Sequence, residues 1–73
     1  MTDNELRQII KKRLIECRTE RCVTQKEVGL AVGKSSTAVA SWEQGLSLPD
    51  LVTIYKLSVF YNKSLDFLFG LED

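Results

Sequence analysis

The stretch TQKEVGLAVGKSSTAVASWEQG, residues 24–45, is punctuated as two short helices separated by a tight turn. Thr24 and Glu27 are spaced as a capping box, in which each side chain accepts a hydrogen bond from the other residue's backbone N–H at the start of a helix. Gly33 suits the end of that helix, because the left-handed conformation common there penalises a Cβ atom. Ser35 then caps the next helix. The stretch therefore predicts a helix, a glycine turn and a second helix in close succession.

The second of these helices has two unlike faces. Val39 and Trp42 are three residues apart and are predicted to face the core, and Gly45 ends the helix. The side chains on the opposite face, most of them small, belong to Ser36, Thr37, Ala40, Ser41 and Gln44. In the preceding helix, Gly29 costs about 1 kcal/mol relative to alanine. That cost predicts the close approach of another backbone.

The rest of the chain also has the pattern of amphipathic helices. Five helices are predicted, over about residues 4–21, 25–32, 36–44, 49–61 and 65–69. Thr2 and Glu5 form a capping box before the first, and Pro49, the only proline, fits the first turn of the fourth. Outside the third helix the predicted core residues are Leu6, Ile10, Leu14, Cys17, Val28, Ala31, Val32, Leu51, Ile54, Leu57, Ser58, Tyr61, Leu65 and Leu68. We therefore expect one all-α domain over residues 1–73, a compact five-helix bundle.

The composition excludes several classes of function. Cys17 and Cys22 are too few for a disulfide framework, and without histidine they form neither a zinc cluster nor a Cys–His nucleophile. The glycine turn lacks the earlier glycine of a phosphate-binding P-loop. We therefore expect no enzyme activity, no metal, no cofactor and no small-molecule ligand. No apolar run approaches the roughly 20 residues of a membrane span, and no secretory segment follows the polar N-terminus, which predicts a cytoplasmic protein.

The formal net charge is zero, which argues against a nucleic-acid-binding protein. The charges are unevenly distributed, however. Residues 1–34 hold eight basic and five acidic side chains, a net charge of +3, whereas residues 35–73 carry a net charge of −3. Such an asymmetry can orient the molecule on a polyanion although the total vanishes.

From residue 14 to residue 70 the sequence resembles the phage-repressor/Cro family of helix-turn-helix regulators, the xenobiotic-response-element type. The residues that carry the resemblance, at the spacings of that family, are Gln25, Gly33, Glu43, Gly45 and Pro49. The resemblance implies a lambda-repressor-like fold, in which the second and third helices form the helix-turn-helix and the third enters the major groove of DNA.

The resemblance also assigns roles to individual residues. It implies base contacts by Ser36, Thr37 and Ser41, with Ala40 between them on the same face. It implies phosphate contacts by Gln25, Lys34, Ser35 and Gln44, the last through its backbone N–H. It pairs Arg18 with Glu43, which would tie the first helix to the end of the recognition helix. Gly29 and Lys63 stand where the family usually has alanine and an apolar residue, and we expect both changes to be tolerated.

The four base-contacting positions, Ser36, Thr37, Ala40 and Ser41, are called the reading face below. None of these side chains is long enough for the bidentate contacts that Gln, Arg or Asn make to purine edges. Short hydroxyl groups make single or water-mediated hydrogen bonds, and Ala40 and the Thr37 methyl group can pack on a thymine methyl. We interpret the face as a surface for close approach to DNA. The alternative is a helix that has lost its reading residues.

Several apolar residues are left over once the core is assigned. Those offered as a dimer interface are Val52, Tyr55, Val59, Phe67 and Leu71, with Phe60 and Phe69 nearby. Leftover apolar patches often mark protein–protein interfaces, although some of these residues could instead cover the edge of the core. A two-fold homodimer would place two recognition helices about 34 Å apart on a palindromic operator.

These observations predict a sequence-specific regulator of transcription that binds double-stranded DNA, a repressor acting as a homodimer. The alternative is a protein-interaction module that keeps the fold but does not bind DNA. Zero net charge and the short side chains of the reading face favour the alternative. Gln25, the Arg18–Glu43 pair and the basic first half of the chain favour DNA binding.

Overall fold

A computed structural model describes residues 1–72 of the chain. Its helices are α1 (Asp3–Arg21), α2 (Gln25–Val32), α3 (Ser36–Glu43), α4 (Leu51–Tyr61) and α5 (Leu65–Leu68). They pack into a body of 31 × 22 × 21 Å. The predicted all-α, five-helix class is confirmed for the described residues. Among those residues, no helix is long and apolar enough to cross a membrane.

The side chains predicted to cap α1, α2 and α3 do so, although α1 begins at Asp3, one residue earlier than predicted. In both capping boxes, Thr2 with Glu5 and Thr24 with Glu27, the two reciprocal hydrogen bonds are present at 3.0–3.1 Å. The hydroxyl of Ser35 accepts a hydrogen bond from the Ala38 N–H at 3.1 Å. These local contacts set where α1, α2 and α3 begin.

The predicted start of α4 at Pro49 is wrong. Asp50 keeps an extended backbone and serves as the N-cap, so the helix begins at Leu51. The Asp50 carboxylate accepts a hydrogen bond from the Thr53 N–H at 2.8 Å. Because this cap satisfies the first turn of the helix, Pro49 is left in the loop before it.

Two other boundaries lie one residue earlier than predicted. Helix α3 ends at Glu43, with Gln44 as the C-cap, and α5 ends at Leu68, with Phe69 as the C-cap. Such one-residue differences are common where helices end.

The core lies between the helices and is largely the predicted one. Its buried apolar residues are Ile10, Leu14, Cys17, Val28, Val32, Val39, Trp42, Ile54, Leu57, Tyr61 and Leu68. Two predicted members are exposed instead: Ala31 lies on the surface, and Leu51 is 82% exposed. At about 100° per residue, Leu51 falls well away from the middle of the buried face of α4. Thr53, which the sequence analysis did not select, is buried on that face.

The predicted close approach at Gly29 is confirmed. A Cβ atom added there would lie 2.5 Å from the carbonyl oxygen of Lys34 and 3.1 Å from the carbonyl carbon of Ser35. Helix α2 therefore rests directly on the backbone of the turn that leads into α3. The absence of a side chain at Gly29 allows this packing and so helps to set the position of α3.

Candidate nucleic-acid interface

Helix α3 presents the reading face on the side opposite its buried anchors. Val39 and Trp42 are 1% and 5% exposed, which fixes the rotation of the helix about its axis. Ser36 and Thr37 are exposed at its N-terminal end, while Ala40 and Ser41 are partly exposed further along. The four residues of the reading face thus share one accessible surface, as their spacing predicts.

An ion pair holds the C-terminal end of α3 against α1. The Arg18 Nε donates hydrogen bonds to both carboxylate oxygens of Glu43, at 3.0 Å to Oε1 and 2.8 Å to Oε2. A guanidinium nitrogen of Arg18 also donates to the carbonyl oxygen of Val23 at 3.1 Å. Glu43 is only 6% exposed. Its hydrogen bond with Arg18 raises the pKa of the Arg18 guanidinium above its usual value. The two side chains paired in the sequence analysis therefore meet in the structure.

Gln25 joins this ion pair through a contact that the sequence analysis did not anticipate. Its side-chain Nε2 donates a hydrogen bond to Glu43 Oε1 at 3.2 Å. Because a carboxylate oxygen only accepts, this bond fixes which end of the amide faces Glu43. The second N–H of the amide has no partner among the described residues. A nearby phosphate could accept a hydrogen bond from it.

Lys34, another predicted phosphate contact, lies beside an acidic side chain. Its ammonium group is 3.4 Å from Asp50 Oδ2, and both side chains are well exposed. Hydrogen bonds from Thr53, followed by the neighbouring Lys34, hold the pKa of the Asp50 carboxyl below its usual value. Exposed ion pairs contribute little to stability, so little is lost when Lys34 moves to another anion.

Gln44 differs from what the resemblance implied. Its backbone N–H donates to the carbonyl oxygen of Ala40 at 2.9 Å, so this N–H is not free to bind a phosphate. The exposed side-chain amide of Gln44 is the group that remains for such a contact. The oxygen of the Ser35 hydroxyl acts as the acceptor when it caps α3, so its proton is not used in the cap.

Two residues near the end of α3 were missed from the sequence. A Cβ atom on Gly45 would lie 3.4 Å from Cδ of Lys11, so this lysine of α1 reaches the C-terminal end of α3. The hydroxyl of Ser47, in the loop after α3, is 2.7 Å from the hydroxyl of Ser41. Neither residue belongs to a local sequence pattern that could have signalled its position.

The apolar residues offered as a dimer interface fall into two groups. Val52, Tyr55 and Val59, called the α4 ridge below, are each about 60% exposed. A groove of about 410 Å³ lies beside the ridge, lined by Ala31, Tyr55, Lys56, Val59 and Phe60.

Phe67 and Leu71 form the second group, near the C-terminus. Phe67 is half-buried, with the Arg13 guanidinium carbon 4.4 Å and the Lys63 ammonium nitrogen 5.2 Å from its ring centroid. Leu71 is 72% exposed. Phe67 is thus already partly covered by its own chain, and the α4 ridge is the more open apolar surface.

Comparison with known proteins shows which family the chain belongs to. The helix-turn-helix family model matches residues 14–68, most of the chain. The chain belongs to the phage-repressor/Cro type of helix-turn-helix protein. In this class of protein, the second helix of the motif enters the major groove of DNA.

One curated protein is similar to most of the chain. Over 62 residues the chain is 36% identical to the HTH-type transcriptional regulator ImmR of Bacillus subtilis (strain 168). The aligned region covers 85% of the chain and 49% of ImmR, so the chain spans about half the length of that relative. No solved structure shows a significant match.

Proposed function

We propose that the chain is a sequence-specific regulator of transcription that binds double-stranded DNA, and that it represses by occupying a palindromic operator as a homodimer. The observation that carries this proposal is the accessible reading face of α3, anchored from behind by Val39 and Trp42. Similarity to a protein named as a transcriptional regulator supports the regulatory role. Such a protein would act in the cytoplasm.

The small side chains of the reading face favour a close fit in the major groove. Ser36, Thr37 and Ser41 offer hydroxyl groups, and Ala40 and the Thr37 methyl group offer contacts to thymine methyl groups. Each such contact discriminates less than the roughly 1–3 kcal/mol of a bidentate pair. Specificity then depends also on DNA shape and on two copies binding together.

Phosphate contacts would hold the recognition helix in register. The candidates are Gln25, Lys34, Ser35 and the side chain of Gln44. Lys11 adds a cation near the C-terminal end of α3. Contacts of this kind position a protein on the duplex without reading its sequence.

DNA binding is tested by gel-shift titration of the purified chain with a pool of random duplexes at several salt concentrations. We expect the affinity to fall steeply as salt rises, because each phosphate contact by a lysine or arginine releases counterions. Absence of binding even at low salt would refute the proposal and favour the protein-interaction module.

Two variants test the placement of the interface. Gln25→Ala should weaken binding to all sequences alike, because its proposed partner is a phosphate. Thr37→Ala should change the preference at one base pair in a randomised-site selection. Thr19→Ala, a surface threonine on α1, is the matched control and should leave the preference unchanged. A Thr37→Ala variant with the wild-type preference would show that the reading face is misplaced.

The proposed homodimer is tested on its two candidate surfaces. Val59→Glu places a charge on the α4 ridge, and Leu71→Glu places one near the C-terminus. We expect Val59→Glu to yield monomers in sedimentation-velocity runs and to weaken operator binding, while Leu71→Glu does neither. The reverse result would move the interface to the C-terminal group, and a wild-type chain that stays monomeric on its operator would refute the dimer.

The protein-interaction module remains the second candidate because of one observation. The groove beside the α4 ridge is open and largely apolar, and Leu30 on α2 adds an apolar side chain that is 75% exposed. Exposed apolar patches of this kind are typical of protein-binding surfaces. The gel-shift titration separates this candidate from the first.

A further inference from the structure

The loop that follows α3 holds Ser41 at two atoms. The Leu46 N–H donates to the carbonyl oxygen of Ser41 at 3.0 Å. The hydroxyl groups of Ser41 and Ser47 are 2.7 Å apart and form a hydrogen bond. Gly45 makes this return possible, because its φ of 73° is readily adopted only by glycine. The loop therefore folds back over the last turn of α3 and fixes one member of the reading face.

This hydrogen bond limits what the Ser41 hydroxyl can offer to a base. A serine hydroxyl has one proton to donate and two lone pairs to accept with, and its proton rotates to suit the partner. If Ser41 donates to Ser47, its oxygen can only accept, which suits the amino groups of adenine and cytosine. If Ser47 is the donor, Ser41 keeps its proton for the acceptors of guanine or thymine and also keeps one lone pair. In both arrangements the hydrogen bond holds the Ser41 oxygen in one position, and the first arrangement also restricts it to accepting.

We propose that Ser47 is a positioning residue that supports the base preference of Ser41 by holding the Ser41 hydroxyl oxygen in one rotamer. This inference rests on the proposed function, since it assigns Ser41 a base to read. Ser47 itself touches no base. Without it, the Ser41 side chain is free to adopt other rotamers, so that its hydroxyl group is less well placed and discrimination at that base pair weakens.

A purely structural role for Ser47 predicts a different outcome. In that case the hydrogen bond only stabilises the loop, and its loss lowers the melting temperature without changing which base is preferred. Ser58 provides a matched control for this role. Its hydroxyl group donates a hydrogen bond to the Lys63 carbonyl oxygen at 2.7 Å. Like the bond between Ser41 and Ser47, this bond ties a helix to the loop that follows it, but the helix is α4 and lies outside the reading face.

The test is a randomised-site selection on the full chain with Ser41→Ala, Ser47→Ala, their double variant and Ser58→Ala. We expect Ser47→Ala to reduce discrimination about three- to tenfold, the effect of one hydrogen bond, at the same base pair as Ser41→Ala. The double variant should be no worse than Ser41→Ala, because the two residues act as one unit. Ser58→Ala should keep the wild-type preference, and Ser47→Thr, which retains the hydroxyl group, should restore it.

Each other outcome identifies what has failed. If Ser41→Ala changes the preference and Ser47→Ala does not, the positioning role is overturned while the proposed function stands. The same holds if the two effects are additive or fall at different base pairs. If Ser41→Ala itself changes nothing, Ser41 reads no base and the inference is overturned. A wild-type chain that selects no sequence overturns the proposed function and this inference with it.

Discussion

Removal of the Arg18 side chain should destabilise the protein more than removal of any other lysine or arginine side chain on α1. Its Nε contacts both carboxylate oxygens of Glu43, whose side chain is only 5% exposed. Arg18→Ala therefore leaves a buried carboxylate without its counter-charge. Breaking a buried pair in this way costs about 3–5 kcal/mol. We expect about 3 kcal/mol, because the hydrogen bond from Gln25 remains and the side chain of Arg18 is 27% exposed.

That loss is large for a chain of this length. Native domains are stable by about 0.05–0.15 kcal/mol per residue, which amounts to about 4–11 kcal/mol for a chain of 73 residues. The expected loss is therefore between about a quarter and about four-fifths of the total. For domains of 60–100 residues, each kcal/mol shifts the melting temperature by about 4–8 °C. Arg18→Ala should therefore lower the melting temperature by at least about 12 °C.

The assay is thermal unfolding followed by the fluorescence of Trp42, the only tryptophan, which is buried against the core. Lys12→Ala is the matched control, since Lys12 is an exposed cation on the same helix. A double variant, Arg18→Leu with Glu43→Leu, removes both charges and should be more stable than Arg18→Ala. If Arg18→Ala unfolds no earlier than Lys12→Ala, the pair does not stabilise the fold and the reasoning is refuted.

Three further predictions follow from local geometry. Gly29→Ala should lower the free energy of unfolding, measured in urea, by about 1–3 kcal/mol despite the better helix propensity of alanine. The reason is that the added Cβ atom would lie 2.5 Å from the Lys34 carbonyl oxygen. An unchanged or raised free energy of unfolding would contradict the close packing. In native protein a thiol reagent should modify exposed Cys22 quickly and buried Cys17 only on unfolding, and rapid modification of both would show that the core opens locally. Burial raises the pKa of the Cys17 thiol to about 11 from 9.0 and raises the pKa of the Tyr61 phenol above its usual value. Because the folded state holds these protons more tightly, the resulting stabilisation should be complete below pH 9 and should decline as the pH rises towards 11. Cys17→Ala should therefore make the melting temperature depend less steeply on pH over that window. An equal slope in the variant and the wild type would refute the assignment to Cys17.

The features that sequence reasoning predicted well are those that depend on neighbouring residues. The box of Thr24 with Glu27 joins residues three apart, so its hydrogen bonds form wherever the helix forms. The core positions Val39 and Trp42 follow from helical spacing in the same way. Gly29 was informative for a different reason, since a residue unfavourable in a helix indicates a compensating tertiary contact.

The features that were missed depend on which elements pack together. Spacing alone places Leu51 on the same broad stripe as Ile54, but only the packing of α4 decides that Leu51 is exposed and Thr53 buried. The contact between Ser41 and Ser47 requires the chain to reverse at Gly45. No local pattern in the sequence encodes the direction of that reversal.

The contacts around Glu43 connect the stability of the fold to its proposed use on DNA. The Glu43 carboxylate accepts hydrogen bonds from Arg18 on α1 and from Gln25 at the start of α2, and Glu43 is itself the last residue of α3. Three helices therefore meet at a single buried charge. Arg18 neutralises that charge beside the position proposed for a phosphate, and Gln25 is oriented by the same group. It follows that an Arg18→Ala chain, held folded at low temperature, should bind all duplexes more weakly than wild type even though Arg18 itself need touch no DNA. Equal affinity of the two folded proteins would show that the ion pair serves the fold alone.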